Sequence, residues 1–407
     1  TIAPRHCPLR PPLYSLAPPL TSPCTVKFGA LWNYLTEQKN VTSEWKSSCK
    51  NHMYNMRKKS LAGIFGISSY AAAFQLCDTE LHIDTALSAP SATLDSFGVI
   101  GADIQPPDDD APEGRVCIQM SSVRLAMLAY ASCVTGYNEG ILLSDWTYKV
   151  LKEKVPLLVF SGVDIRQNGK LFSFGPSSHE DEVATATGAR FLQNHVDRMV
   201  NMIRGEFEPD PRRISPALVQ EARATFAGVI KVEMPYFAPV IGMSDMANAI
   251  RNGACKAIST LSLEKWKICW AHVWRAVTNN MSKLNDASAE RKDEAFTDLA
   301  FIHEVWGTTF REHAIRMFIT KWRDERGEES FVTYLEKHIF IYNFSRTGEP
   351  GEVSDGNTIE RMNLALKGEE YFNAVEGMGT MLKRAVVVGN RFSRDTLPFA
   401  ITPNVTP

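Results

Sequence analysis

The chain has 407 residues, 44% of them hydrophobic, enough to bury a substantial core and to form two or three units of ordinary domain size. Its 44 Lys and Arg against 46 Asp and Glu leave a net charge of -2, which excludes a whole-protein attraction to nucleic acid and confines any such contact to local basic patches. Eight cysteines without a CxxC pair suit free thiols in a reducing compartment better than a disulfide framework, and no apolar run reaches the roughly 18–20 residues of a membrane span.

Residues 1–25 are punctuated by Pro4, Pro8, Pro11, Pro12, Pro18, Pro19 and Pro23, which remove backbone donors and block helices, so disorder is expected. The chain begins at Thr1 rather than Met and reads as a fragment, and its start lacks the basic-then-apolar pattern of a signal sequence. Residues 26–102 mix Trp32 and Trp45 with Lys46, Lys50, Arg57, Lys58 and Lys59, and are expected to form a small, degenerate DNA-contacting module. Cys49, His52, Cys77 and His82 fit no zinc template, and structural zinc is not expected. Residues 103–114 carry Pro106, Pro107, three adjacent carboxylates (Asp108, Asp109, Asp110) and Pro112. Mutual repulsion and proline predict a linker there.

A helix is predicted over 122–131, and a strand led by Gly140 runs through Ile141-Leu142-Leu143-Ser144 into Asp145. Extended segments follow at 155–165 and 170–174, separated by Gln167-Asn168-Gly169, a hairpin signal; the three strands are expected to form an antiparallel meander. The next helix, about 179–203, is expected to be capped by Ser178, with Glu180, Asp181 and Glu182 in its first turn and a stripe of Ala189, Leu192, Val196, Met199 and Ile203. Beyond a helix over 216–230, the stretch 237–245 is a second apolar strand ending in Ser244-Asp245, echoing Ser144-Asp145. A helix over 246–258, a short strand over 267–273 and an aromatic helical region over 287–342 follow. A helix over 358–367 then sets Glu360, Asn363 and Lys367 on one face, beside a stripe of Ile359, Met362 and Leu366. Residues 390–407 read as a polar, flexible tail.

Carboxylates at the ends of neighbouring strands can share a crevice, and a third from a packed helix closes a set of hard oxygen donors suited to Mg²⁺ or Mn²⁺. Three such groups repel one another unless cations lie between them. Two ions held there serve in-line displacement at phosphorus. Each residue also has a plainer use: a strand-end Asp is commonly a turn residue or helix cap, and a Glu on an amphipathic helix commonly faces water. The sequence has no P-loop, HExxH, GxSxG elbow or dinucleotide fingerprint.

Three motifs together resemble those of Mutator-like (MULE) transposases: Asp145-Trp146-Thr147-Tyr148-Lys149; Met243-Ser244-Asp245 with Ala249-Ile250; and Asn357-Thr358-Ile359-Glu360-Arg361-Met362-Asn363-Leu364-Ala365-Leu366-Lys367. Cys269-Trp270-Ala271-His272 is similar to the Cys-x-x-His signature of that group. Spanning about 115–385, the resemblance implies an α/β fold: a ribonuclease-H-like mixed sheet, antiparallel then parallel, flanked by helices. It places an all-helical insertion (about 287–342) before the last catalytic helix of a core over 115–389. It implies Asp145, Asp245 and Glu360 as catalytic ligands of two Mg²⁺ or Mn²⁺ ions, and Lys149, Asn357, Asn363 and Lys367 as DNA contacts. Cys269 and His272 are left between a buried thiol with a hydrogen-bonded imidazole and a direct DNA or metal role. The implied activity is transposition: cleavage at element ends, then strand transfer by a 3′ hydroxyl, in a nuclear homo-oligomer on DNA without membrane attachment. The sequence carries one Asn (Asn357) where the group often has a pair before Ile-Glu, and shows neither an N-terminal zinc module nor a Cys-rich C-terminal finger. A truncated, decayed or domesticated non-catalytic DNA-binding protein, or a nuclease on the same scaffold, are the competing readings.

Overall fold

The structure, a computed structural model, describes residues 74–105, 114–134, 140–147, 155–163, 169–231, 233–234, 236–305, 307–344, 357–368 and 378–395, all within the compact unit Ile67–Pro407. The proline-rich start, the basic residues 46–59, most of the acidic segment and Lys149 lie outside the described residues.

Along the chain the elements are α1 (Ile83–Ser88), β1 (Phe97–Gln105), β2 (Arg115–Ser122), α2 (Val123–Val134), β3 (Ile141–Thr147), β4 (Leu157–Val163) and β5 (Gly169–Pro176). Then come α3 (Glu182–Arg204), α4 (Pro216–Phe226), β6 (Ile241–Ser244), α5 (Asn248–Ala257), β7 (Trp266–Ile268) and α6 (Trp270–Thr278). The helices α7 (Ala289–Glu304), α8 (Thr308–Ile319), α9 (Glu329–His338), α10 (Asn357–Gly368) and α11 (Met378–Asp395) complete the described fold.

Seven strands form one mixed sheet in the order β1-β2-β5-β4-β3-β6-β7, flanked by helices. The meander predicted from the Asn-Gly turn is present: β3 pairs antiparallel with β4, and β4 with β5. On the other side of β3, β6 and then β7 run parallel. The central strand β4 is buried at every position, as its unbroken apolar run Leu157-Leu158-Val159-Phe160 requires of a strand covered on both faces. Gly140 stands just before β3 at φ +66°, where a Cβ would be 2.9 Å from the Cys133 backbone, a position that favours glycine on both counts.

Several boundaries differ from expectation for identifiable reasons. Strand β1 precedes the acidic segment yet pairs antiparallel with β2, so the sheet begins before residue 103 and the chain reverses direction across that segment. Helix α3 is capped by Asp181, whose carboxylate accepts from the Ala184 N–H at 2.8 Å. Ser178, the expected cap, accepts from the Val116 N–H at 2.9 Å instead and so braces β2. Helix α11 runs past residue 390 to Asp395: Asn390 accepts from the Phe97 N–H at 2.7 Å, and the Ser393 hydroxyl lies 2.8 Å from that of Ser122. The last helix therefore locks onto β1 and β2 through Asn390 and Ser393, and residues 390–395 continue that helix. No helix among the described residues is long and apolar enough to cross a membrane.

The core carries one titratable side chain with a clear pH consequence. His195 on α3 is 4% exposed and donates from Nε2 to the Ser122 carbonyl at 3.3 Å. Burial lowers its pKa from 6.5 to about 4, although that hydrogen bond pulls the other way. Between these values the unfolded chain takes up the proton and the folded chain does not, so the contribution is complete above pH 6.5 and lost as pH falls towards 4. At pH 4.5 we expect about 2–3 kcal/mol less stability than at pH 7 from this group alone. Urea unfolding at both pH values checks it: His195→Gln keeps an N–H donor but does not titrate, and should show a correspondingly shallower loss. Parallel profiles for the two proteins would contradict the assignment.

Candidate active site

The site is assembled by strand register. In β3, Ile141, Leu142 and Leu143 are buried, and they pair in parallel with Ile241, Gly242 and Met243 of β6. Two residues beyond the last pair, Leu143 with Met243, stand Asp145 and Asp245 respectively. Neighbouring strands lie roughly 4.8 Å apart, so equal steps along two parallel strands bring these two residues to the same end of the sheet as neighbours. The echo between Ser144-Asp145 and Ser244-Asp245 thus corresponds to a spatial equivalence.

The end of β6 is held by an unusually large neighbour. Trp266 of β7, 2% exposed, packs its indole over Gly242, where a Cβ would stand 2.1 Å from the ring. Its Nε1 donates to the Ser244 hydroxyl at 3.1 Å, and that hydroxyl donates to the Asp245 carbonyl at 2.8 Å. The Asp245 carboxylate accepts from the Ala247 N–H at 2.9 Å, which turns the chain into α5. Asp245 therefore does serve as the turn residue that a strand-end Asp commonly is, and this occupies its Oδ1.

Helix α10 packs against β3, β4 and β5 and buries Ile359, Met362 and Leu366, the stripe expected from spacing. On it, Asn363 is 4% exposed and donates from Nδ2 to Asp145 Oδ2 at 2.6 Å. Asn363, implied by the resemblance as a DNA contact, holds the Asp145 carboxylate; its Oδ1 is buried without a hydrogen-bond partner. The backbone is helical at Lys367, as predicted, and also at Asn357, one residue before the predicted start, but their side chains lie outside the described residues.

Glu360, one turn before Asn363, meets helix α6. Its Oε1 lies 3.5 Å from the Arg275 guanidinium and 3.8 Å from His272 Nε2. The expected strand over 267–273 ends at Ile268. Cys269 becomes the residue before α6: its N–H donates to the Ser244 carbonyl at 2.9 Å, while its carbonyl accepts from the N–H groups of His272 and Val273. The Cys-x-x-His motif consequently links the end of the Asp245 strand, through Cys269, to Glu360, through His272. The Nδ1 of His272 is buried without a hydrogen-bond partner.

As a donor set, three carboxylates have the hard oxygen chemistry that Mg²⁺ and Mn²⁺ prefer; the register brings the residues Asp145 and Asp245 to the same end of neighbouring strands, and Glu360 stands one helical turn from Asn363. Among the described residues no three His, Cys, Asp or Glu side chains form a closed metal-binding group, consistent with Glu360 Oε1 lying beside His272 and Arg275.

Sequence reasoning missed Arg275 and Trp274. Both line an open cleft beside Glu360, together with Trp270, Thr278 and Asn279. The signal was there: Trp270 and Trp274 at i and i+4 share a helix face, but it is invisible when the stretch is taken as a strand. Behind them the helical region is anchored to α6 by rings. Trp270 stacks on His303 (centroids 4.5 Å) and Phe344 (5.8 Å), and Trp274 on Phe296 (3.8 Å).

Comparison of the chain with models of known protein families gave no match, and comparison with curated proteins gave none.

Proposed function

We propose that this chain is a metal-dependent DNA transposase with a ribonuclease-H-like core of the Mutator-like type. The observation that carries the reading is the parallel register that makes Asp145 and Asp245 neighbours at one end of the sheet, with the Glu360 helix hydrogen-bonded to Asp145. The run β5-β4-β3-β6-β7, three antiparallel strands followed by two parallel ones, supports the ribonuclease-H-like core, and the helices between α6 and α10 support the insertion.

Asp145, Asp245 and Glu360 would hold two Mg²⁺ or Mn²⁺ ions, which when bound lower the pKa of water and neutralise charge building on the phosphodiester oxygens. Asn363 fixes the Asp145 carboxylate through its 2.6 Å hydrogen bond, so that ligand is oriented before DNA arrives. Arg275, 59% exposed at its side chain, is placed to exchange Glu360 for a DNA phosphate. Contacts of Lys149, Asn357 and Lys367 with DNA belong to the same proposal on the strength of the motif resemblance alone. The reaction is two displacements at phosphorus: water releases a 3′ hydroxyl at the element end, and that hydroxyl then attacks the target strand. A homo-oligomer on DNA and a nuclear location belong to the same proposal.

The test is to incubate the full chain with supercoiled plasmid and with labelled duplex ends in Mg²⁺ or Mn²⁺. Cutting that leaves 3′ hydroxyls, followed by joining, is the expected result. Cutting without any joining would replace the transposase with a nuclease, and binding without cutting would replace it with a non-catalytic DNA-binding protein.

A further inference from the structure

The cleft between α6 and Glu360 has a volume of about 510 Å³, within the range of small-ligand sites. The two-displacement chemistry uses Glu360 and Arg275 at its edge and assigns no role to Trp270, Trp274, Thr278 or Asn279. Trp274 remains 42% exposed even though one face of its indole rests on Phe296, and Trp270 meets it edge-on, with centroids 5.9 Å apart at 67°. Both indoles are braced from behind, Trp270 by His303 and Phe344 and Trp274 by Phe296, so they form a pre-set aromatic corner rather than two mobile rings. Next to it stand the Arg275 guanidinium, the exposed Asn279 amide and the Thr278 hydroxyl, which donates to the Trp274 carbonyl at 2.8 Å and is left as an acceptor. A flat π surface, a cation at its edge and amide and hydroxyl groups in reach are what a nucleotide requires: stacking for the base, a charge for the phosphate and hydrogen bonds for the base edge.

We propose that this cleft binds one unpaired nucleobase of the DNA strand, stacked on Trp274, with Arg275 on the adjoining phosphate. The inference rests on the transposase reading for the identity of the ligand as DNA. A base inside a duplex has both faces covered by its neighbours and cannot offer one to an indole, so the pocket selects a base that has left the stack. Its position beside Glu360 puts that base next to the reacting end. Binding also bears on Glu360, because a phosphate competes for the guanidinium that lies 3.5 Å from the carboxylate.

The experiment measures binding alone, in EDTA, by fluorescence anisotropy of the full chain with three otherwise identical duplexes: blunt, with one unpaired 3′ adenine, and with an abasic residue in place of that adenine. The unpaired adenine should tighten binding about tenfold over both others, and Trp274→Ala should abolish the difference while Trp274→Phe keeps most of it. Since Trp274 also packs on Phe296, Thr278→Glu is the second variant. It alters an exposed helix position and should erase the preference by repelling phosphate, with thermal melting confirming the fold. Tight binding of all three duplexes without preference, or a preference that survives both Trp274→Ala and Thr278→Glu, overturns the pocket and leaves the transposase reading standing. Failure to bind any duplex overturns the DNA reading and the pocket together. Deoxyadenosine monophosphate is titrated in parallel, and saturation by it at lower concentration than by the unpaired end assigns the cleft to a free nucleotide instead.

Discussion

Asp145→Asn and Asp245→Asn should each slow metal-dependent DNA cutting by at least about 10³-fold while leaving the fold intact. Loss of one carboxylate from a two-ion site removes several kcal/mol of charge stabilisation, and about 4 kcal/mol corresponds to three powers of ten in rate. The substitution separates this role from the structural one because the neighbours still find partners. An Asn at 245 keeps an oxygen to accept from the Ala247 N–H, and an Asn at 145 keeps one to accept from Asn363 Nδ2. If these residues serve only as turn and packing groups, cutting should be unchanged and stability should move by no more than about 1 kcal/mol. The two outcomes lie far apart. Single-turnover rates on a gel, with unfolding midpoints on the same samples, decide between them, and a rate loss below tenfold in both variants would remove the pair from the chemistry.

That the pair could be found at all reflects how the sheet writes itself into sequence. A buried strand needs an uninterrupted apolar run, and Leu143-Ser144-Asp145 and Met243-Ser244-Asp245 are found by that local pattern, although only β6 ends at its Ser; β3 continues through Asp145, paired with Val159, to Thr147. The parallel pairing that makes them neighbours is not local: 100 residues separate them, and only the resemblance to a known core suggested the register. Helix α10 was legible for the same reason as the strands, since Ile359, Met362 and Leu366 recur at helical spacing and are buried. What its polar face touches was not. Asn363 finds Asp145 because the helix lies across β3, β4 and β5, a tertiary fact without a signature in the spacing.

The misreadings have a common physical source. Trp, Ile and Val around 266–273 favour strands by propensity, yet Cys269 hands its N–H to Ser244 and starts a helix whose apolar side is claimed by Phe296, His303 and Phe344 from elements far along the chain. Tertiary packing overrode local preference at the place where the site needed Trp274 and Arg275. At the other end of the sheet, Pro106, Pro107 and the three carboxylates lie in sequence between two strands that pair antiparallel. Read as a linker, however, they hid the hairpin between β1 and β2, because Gly98 and Gly101 break the alternation that would announce β1.

Trp266→Ala should be the most damaging single change to the fold near this site, lowering stability by about 3–5 kcal/mol and cutting the rate by about 10²-fold on top of that. The ring is almost fully buried and fills the space above Gly242, and its Nε1 holds the Ser244 hydroxyl that in turn holds the Asp245 carbonyl. Removing it leaves a cavity beside β6 and frees the strand end that carries one carboxylate, so stability and rate fall together. Trp266→Phe keeps an aromatic ring but loses the hydrogen bond and part of the indole's buried volume, and should lie between. Gly242→Ala alone should also destabilise, by about 1–3 kcal/mol, because its Cβ would overlap the indole. In the double variant the added methyl enters the space the indole has left, so the combined loss should be smaller than the sum of the two single losses by more than about 0.5 kcal/mol. Urea unfolding of the four proteins measures that difference. Simple additivity would mean that Gly242 and Trp266 do not set the position of the β6 end together, and the account of how Asp245 is aimed would have to rest on its turn into α5 instead.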